Sequence, residues 1–157
     1  MLENCKTAKE RWGGVSEIID RWLTERQDLI VQYYELVSGA EFPDVETAVA
    51  TYRRFCQVLV DYVSAGHFEV YEQLVAEARA FNDGCEQVAH ETLPAIQATT
   101  EKLLDFNDQF DQTPEEREAL EALKPALAVL GEVLEDRFEL EDMLIEKIHH
   151  AHASQVA

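Results

Sequence analysis

Phe55-Cys56-Gln57-Val58-Leu59-Val60-Asp61-Tyr62-Val63-Ser64-Ala65-Gly66-His67-Phe68-Glu69-Val70-Tyr71-Glu72 is an apolar helical pattern broken once, at Ser64-Ala65-Gly66. Upstream, Val45, Ala48, Val49, Tyr52, Phe55, Cys56, Leu59, Val60 and Val63 recur at i, i+3, i+4 and i+7, the stripe of an amphipathic helix. Gly66 weakens the pattern, which resumes at Phe68, Tyr71, Leu74, Val75 and Ala78. The spacing predicts a long helix, a break, and a shorter helix at a new angle.

The same period extends in both directions. Val15, Ile18, Ile19, Trp22, Leu23, Leu29, Ile30, Tyr33 and Val37 stripe an earlier helix, which Ser38-Gly39 should end. Asp44 is placed to cap the helix that follows. Asn82-Asp83-Gly84 reads as a turn. A third helix follows from Cys85, with a kink or a restart capped by Thr92 expected at Pro94, and a polar patch at Thr99-Thr100. Thr113-Pro114-Glu115-Glu116 has the form of a capping box. Leu120, Leu123, Leu127, Leu130, Leu134, Phe138, Leu144, Ile145 and Ile148 then stripe a last helix, which Pro125 should kink or divide. Four long stripes with short connections predict an all-α fold: an antiparallel four-helix bundle with short additional helices. The 157 residues suit a single domain, residues 1–157, with residues 2–12 as a separate short helix hinged at Gly13-Gly14.

Charge separates this chain from an average domain. Thirty-two acids against thirteen Lys and Arg give −19. Such a field repels phosphate backbones, so no direct nucleic-acid partner is expected, and it attracts basic partners. No apolar run approaches the about 20 residues of a membrane span. Lys6, Lys9 and Arg11 have no apolar run behind them, so no signal peptide is expected. Cys5, Cys56 and Cys85 form neither a disulfide framework nor a zinc spacing, which suits reduced thiols and a cytoplasmic protein.

The candidate chemistry is sparse. A di-metal bundle site needs two Glu-x-x-His pairs on facing helices, and the chain has one, Glu146-Lys147-Ile148-His149. His149, His150 and His152 read either as residues favoured by the dipole at a helix C-terminus or as an adventitious transition-metal cluster. Asp61 and His67 lack a nucleophile or a phosphate loop beside them, so no catalytic residue, metal or cofactor is expected. Asp61 stands among core positions, where an unpaired carboxylate is costly. Either Arg21 or Arg137 pairs with it from another helix, or it lines a groove and receives a cation from a partner. Phe68 and Tyr71 would be aromatic anchors of that groove, with Trp22 beside them. Glu132, Glu135, Asp136 and Glu139 share one side of the last helix, a like-charge run that slightly destabilises it and suggests a use.

Four segments together resemble the regulator-of-sigma-D family, the Rsd/AlgQ anti-sigma factors. They are Asp20-Arg21-Trp22-Leu23 with Tyr33-Tyr34-Glu35-Leu36-Val37, Phe55 to Tyr62, Ser64 to Glu72, and Glu132 to Asp142. The opening, Leu2-Glu3-Asn4-Cys5 through Val15, looks closer to the AlgQ branch. The pattern departs from the relatives at Gly39–Glu46, Asn82–Glu91 and after Lys147. The resemblance implies a helical bundle that binds the C-terminal, −35-recognising domain of the primary sigma factor and keeps it from core RNA polymerase and promoter DNA. It implies transcription regulation, including alginate regulation in the AlgQ branch, and no enzymatic activity or small-molecule ligand. It implies that Asp61 faces sigma, with Ser64, His67, Phe68, Tyr71 and Glu72 as neighbours. Trp22, Glu132, Glu135 and Glu139 join that set on the groove argument. The alternatives are a di-metal-binding bundle enzyme and an acidic adaptor with another basic target.

Overall fold

The computed structural model describes residues 8–38 and 42–156, which are helical almost throughout. The long helices are α1 (Ala8–Val37), α2 (Val45–Ala65), α4 (Glu86–Asp111) and α6 (Lys124–Leu144). Shorter pieces are α3 (Tyr71–Phe81), α5 (Arg117–Glu121) and α7 (Ala153–Val156). Helix α1 packs on α2, α2 on α4, α4 on α6, and α6 back on α1, which closes a four-helix ring. The stripes read from the sequence line its interior: Ile18, Ile19, Trp22, Leu29, Phe55, Leu59, Leu103, Leu127, Leu130 and Ile148 are all buried.

The local signals hold in some places and fail in others. Asp44 caps α2, its Oδ1 accepting the Thr47 N–H at 2.7 Å. Asn82 (φ 48°) and Gly84 (φ 93°) take left-handed backbone in the turn between α3 and α4, as that tripeptide suggests. Pro125 divides the last rod from α5 and sits in the first turn of α6, where its missing N–H costs nothing. The Thr113 capping box does not form. The Thr113 hydroxyl donates back to the Gln109 carbonyl at 2.7 Å, and α5 starts only at Arg117. Pro94 neither stops nor restarts α4, which runs unbroken from Glu86 with Thr92 buried inside it. Gly13-Gly14 is not a hinge, because α1 passes through both glycines from Ala8. The stop at Gly39, the turn up to Glu41 and the opening at Leu2 to Cys5 lie outside the described residues.

The break at Ser64-Ala65-Gly66 is not a break. Gly66 has helical dihedrals (φ −58°, ψ −53°), and Gly66–Val70 is one π-helical turn joining α2 to α3. Its signature bond runs from the Tyr71 N–H to the Gly66 carbonyl, five residues back. The wider turn admits one extra residue and shifts the apolar stripe to Val63, Gly66, Val70, Leu74 and Ala78. Glycine is needed at 66 for closeness rather than flexibility. A Cβ there would lie 3.1 Å from Trp22 Cζ2 and 3.1 Å from the Tyr71 hydroxyl oxygen. Trp22 stacks on Tyr62 (4.8 Å between centroids, 2° between planes) and meets the edge of Tyr71 at 5.8 Å.

A charged network occupies the middle of the bundle. Arg137 is 0% exposed. Its Nε donates to Glu141 Oε2 at 3.2 Å, one terminal nitrogen donates to the Thr100 and Thr99 hydroxyls at 2.6 and 3.1 Å, and the other to the Tyr71 hydroxyl at 2.9 Å. Tyr62 and Tyr71 donate to the two Glu141 oxygens at 2.5 and 2.6 Å. The polar patch at Thr99-Thr100 is thus the acceptor pair for a buried guanidinium. Burial pushes the Glu141 carboxyl upward, opposed chiefly by Arg137 and the two tyrosine hydroxyls. A buried ion pair is tolerable only when each remaining polar atom also finds a partner, and here it does.

Candidate partner-binding surface

Asp61 lies on the outer face of α2, exposed, and accepts a bond from Gln57 Nε2 at 3.0 Å, one turn back. Neither proposed internal partner reaches it. Arg21 pairs with Glu69 at 3.4 Å, and Arg137 belongs to Glu141 in the core. No ion pair of the described residues includes Asp61. The surrounding field is negative. Glu25 on α1 has its carboxyl pushed up, first by partial burial and then by Asp61 and Glu69, with Arg21 pulling the other way. Phe68, just ahead of Glu69 on the π turn, is 70% exposed, the most open aromatic side chain among the large exposed apolar residues. His67 leans edge-on against it at 4.9 Å.

Two of the sequence-predicted anchors belong to the interior. Trp22 is 2% exposed and gives its indole N–H to the Tyr62 carbonyl at 3.2 Å; Tyr71 is 6% exposed and binds Glu141 and Arg137. The reason is the π turn. In an α-helix Phe68 and Tyr71 would share a side, but the inserted residue sends Phe68 outward and Tyr71 inward. Trp22 cannot anchor a partner without unpacking the core, and Tyr71 shows only its 6% exposed surface, in the hollow between α3 and α4.

The remaining residues fall in separate places. Ser64 is half-buried on α2. His67 and Glu72 line a shallow hollow of about 380 Å³ between α3 and α4, with Val75, Arg79, Leu93 and Gln97. Glu132, Glu135 and Glu139 form the acidic lip of a groove of about 590 Å³ between α1 and α6, over Ile30, Tyr34, Leu134 and Phe138. Arg26 lies 2.6 Å from Asp142 and 5.0 Å above the ring of Phe138, both residues of that groove. The groove and the Asp61 face therefore flank α1 and do not merge. Glu25 and Glu69, which complete the field around Asp61, were missed because their proximity depends on the register between helices, which no periodicity encodes.

The one Glu-x-x-His pair diverges: Glu146 is exposed and holds His150 at 2.8 Å, while His149 is buried against Glu77 at 2.8 Å. A di-metal centre built on that pair has no geometric support. His149 and His152 are both buried. No helix of the described residues is long and apolar enough to cross a membrane.

The described residues thus form an all-helical bundle with a satisfied charged centre and an exposed acidic surface. The family described as regulator of RNA polymerase sigma(70) subunit, Rsd/AlgQ, matches residues 1–149. Among relatives, a regulator of sigma D from Enterobacter is 35% identical over 153 residues, covering 92% of this chain and 88% of its own. One from Salmonella arizonae is 34% identical over 161 residues (96% and 93%), and one from Yersinia pseudotuberculosis 30% over 148 (93% and 88%). The chain belongs to the Rsd/AlgQ family of sigma regulators.

Proposed function

We propose that this protein is an anti-sigma factor that binds the C-terminal, −35-recognising domain of the housekeeping sigma factor and withholds it from core RNA polymerase and promoter DNA. The observation that carries this reading is the Asp61 face: a carboxylate with no cation, set near Glu25, with Glu69 acting on the same Glu25 and an exposed Phe68 next to Glu69 in the chain. A domain built to touch DNA offers cations to that carboxylate and apolar surface to that ring. The net charge of −19 steers such a domain inward. Membership of a family of sigma(70) regulators supports the choice of partner.

Binding to the isolated C-terminal domain of the primary sigma factor, measured at low and high salt for the wild type and Asp61→Ala, tests the proposal. Affinity should fall with salt and fall further in the variant, by about 2–5 kcal/mol if the carboxylate meets a buried cation of the partner. Folding stability of the variant should stay within about 0.5 kcal/mol, because Asp61 is exposed and holds nothing but Gln57. Absence of binding at low salt would reject the proposal. Equal binding of an unrelated basic domain would replace it with that of a general acidic adaptor.

A further inference from the structure

The C-terminal turn carries a second arrangement that contact with sigma does not use. Helix α6 passes through a π turn (Ile145–His149) and a 3-10 turn (His150–His152) that fold back against α3 and the turn after it. There Glu77, 1% exposed, holds both buried histidines, Oε1 at 2.8 Å from His149 Nδ1 and Oε2 at 3.2 Å from His152 Nδ1. Phe81 stacks on the His152 ring at 3.8 Å with 5° between the planes. The ring is fixed in position and in rotation, and its Nε2 faces Asp83 Oδ2 at 2.8 Å and Cys85 Sγ at 3.8 Å.

We propose that Asp83, Cys85 and His152 form a binding site for one divalent transition-metal ion of the zinc class. Carboxylate oxygen, thiolate sulfur and imidazole nitrogen are the three donor types that zinc accepts in proteins. Their ligand atoms lie within 4.8 Å of one another, so one ion can be reached by all three once they draw together. Glu77 supplies the orienting carboxylate behind the ligating histidine, fixing Nδ1 so that Nε2 is the free donor. Asp83 is exposed and Cys85 half-buried, which leaves an entry path and a fourth position for water.

Binding exchanges a proton for metal. Without metal, the Cys85 thiol donates to the Lys147 carbonyl at 3.4 Å. A bound ion displaces the proton from Sγ and releases it to solvent. The result is a tie between the C-terminal turn and the α3–α4 turn. Residue 152 lies beyond the 1–149 span of the family match, so this is a feature of the chain rather than of that span.

Metal-free full-length protein titrated with cobalt(II), then with zinc to displace it, tests the site. One equivalent should bind and give a sulfur-to-cobalt charge-transfer band in the near ultraviolet, and zinc should abolish the band and raise the melting temperature. Cys85→Ser should lose the band. Asp83→Asn should keep it but bind at least as much more weakly as the about 10- to 100-fold that loss of an outer-shell partner costs. Both substitutions fall in an exposed turn, and circular dichroism establishes that each variant is folded. No band in the wild type, a band that survives Cys85→Ser, or equal affinity across the three proteins would each overturn the proposal, the last marking adventitious binding to the terminal histidines.

Discussion

Arg137 and Asp61 are both charged residues on long helices of one bundle, and they live under opposite rules. Every polar atom around Arg137 is matched: a carboxylate, two tyrosine hydroxyls and two threonine hydroxyls meet in the interior of the bundle. Asp61 has a glutamine one turn away and two acids nearby. In the interior an unmatched charge costs several kcal/mol, so pairing there is a condition of folding. On the surface water screens the repulsion, so like charges can be kept at small cost and offered to a partner. The difference predicts that substitutions at the centre change stability and leave recognition alone, and that those at the face do the reverse.

The largest effect belongs to Arg137→Ala. It leaves Glu141 with two tyrosine hydroxyls and only the more distant Arg26, 3.9 Å away, and should cost about 3–5 kcal/mol in chemical denaturation. A loss as small as that of a surface change would break the contrast. Tyr71→Phe comes next. One hydroxyl serves as donor to Glu141 and acceptor from Arg137, so its removal should cost about 1–3 kcal/mol. Affinity for the sigma domain, per folded molecule, should not change. A variant of normal stability and poor affinity would return Tyr71 to the partner surface.

The central network was partly legible. Leu127, Leu130, Leu134, Arg137, Glu141, Leu144 and Ile148 are spaced by three and four, so Arg137 and Glu141 stand on the core stripe as plainly as the leucines do. Glu77 is similarly placed between Leu74 and Ala78. The bundle itself follows from periodicity, because burying four apolar stripes leaves few other arrangements. The π turn does not. A glycine in a helical pattern reads as a weak point, and only the Trp22 and Tyr71 rings pressed against it reveal that it serves close packing. That one inserted residue decides which of Phe68 and Tyr71 faces out. The capping box failed for another reason. Thr113 has a carbonyl of the preceding helix within reach, and a hydroxyl makes the nearer bond.

Phe68→Ser sharpens the comparison from the other side. The ring is 70% exposed and packs on His67 alone among the aromatic groups, so stability should move by less than about 0.5 kcal/mol. Affinity for the sigma domain should fall about tenfold or more if the ring is an anchor, measured by calorimetry on matched samples. A stability loss without an affinity loss would make Phe68 part of the scaffold and leave the acidic face without its apolar element.

The smallest effect is the most local. Burial, then Asp61, then Glu69 hold the Glu25 carboxyl above its ordinary value of 4.5. A carboxyl raised in the folded state binds its proton more tightly there than in the unfolded chain. Its contribution to stability is therefore fully present below 4.5 and is lost as pH rises through the raised folded value. Asp61→Asn removes the second cause, so the Glu25 titration, followed by NMR of its carboxyl carbon, should move down toward the ordinary value. The pH-dependent part of the stability should shrink with it. A partner's cation docking at Asp61 acts in the same direction, favouring the ionised Glu25. Binding should then release protons in this window, with affinity highest above it and falling as pH falls through it. If Glu25 titrates identically in the wild type, in Asp61→Asn and in the complex, the acids of this face do not feel one another or the partner, and the contrast with the paired interior loses its functional meaning.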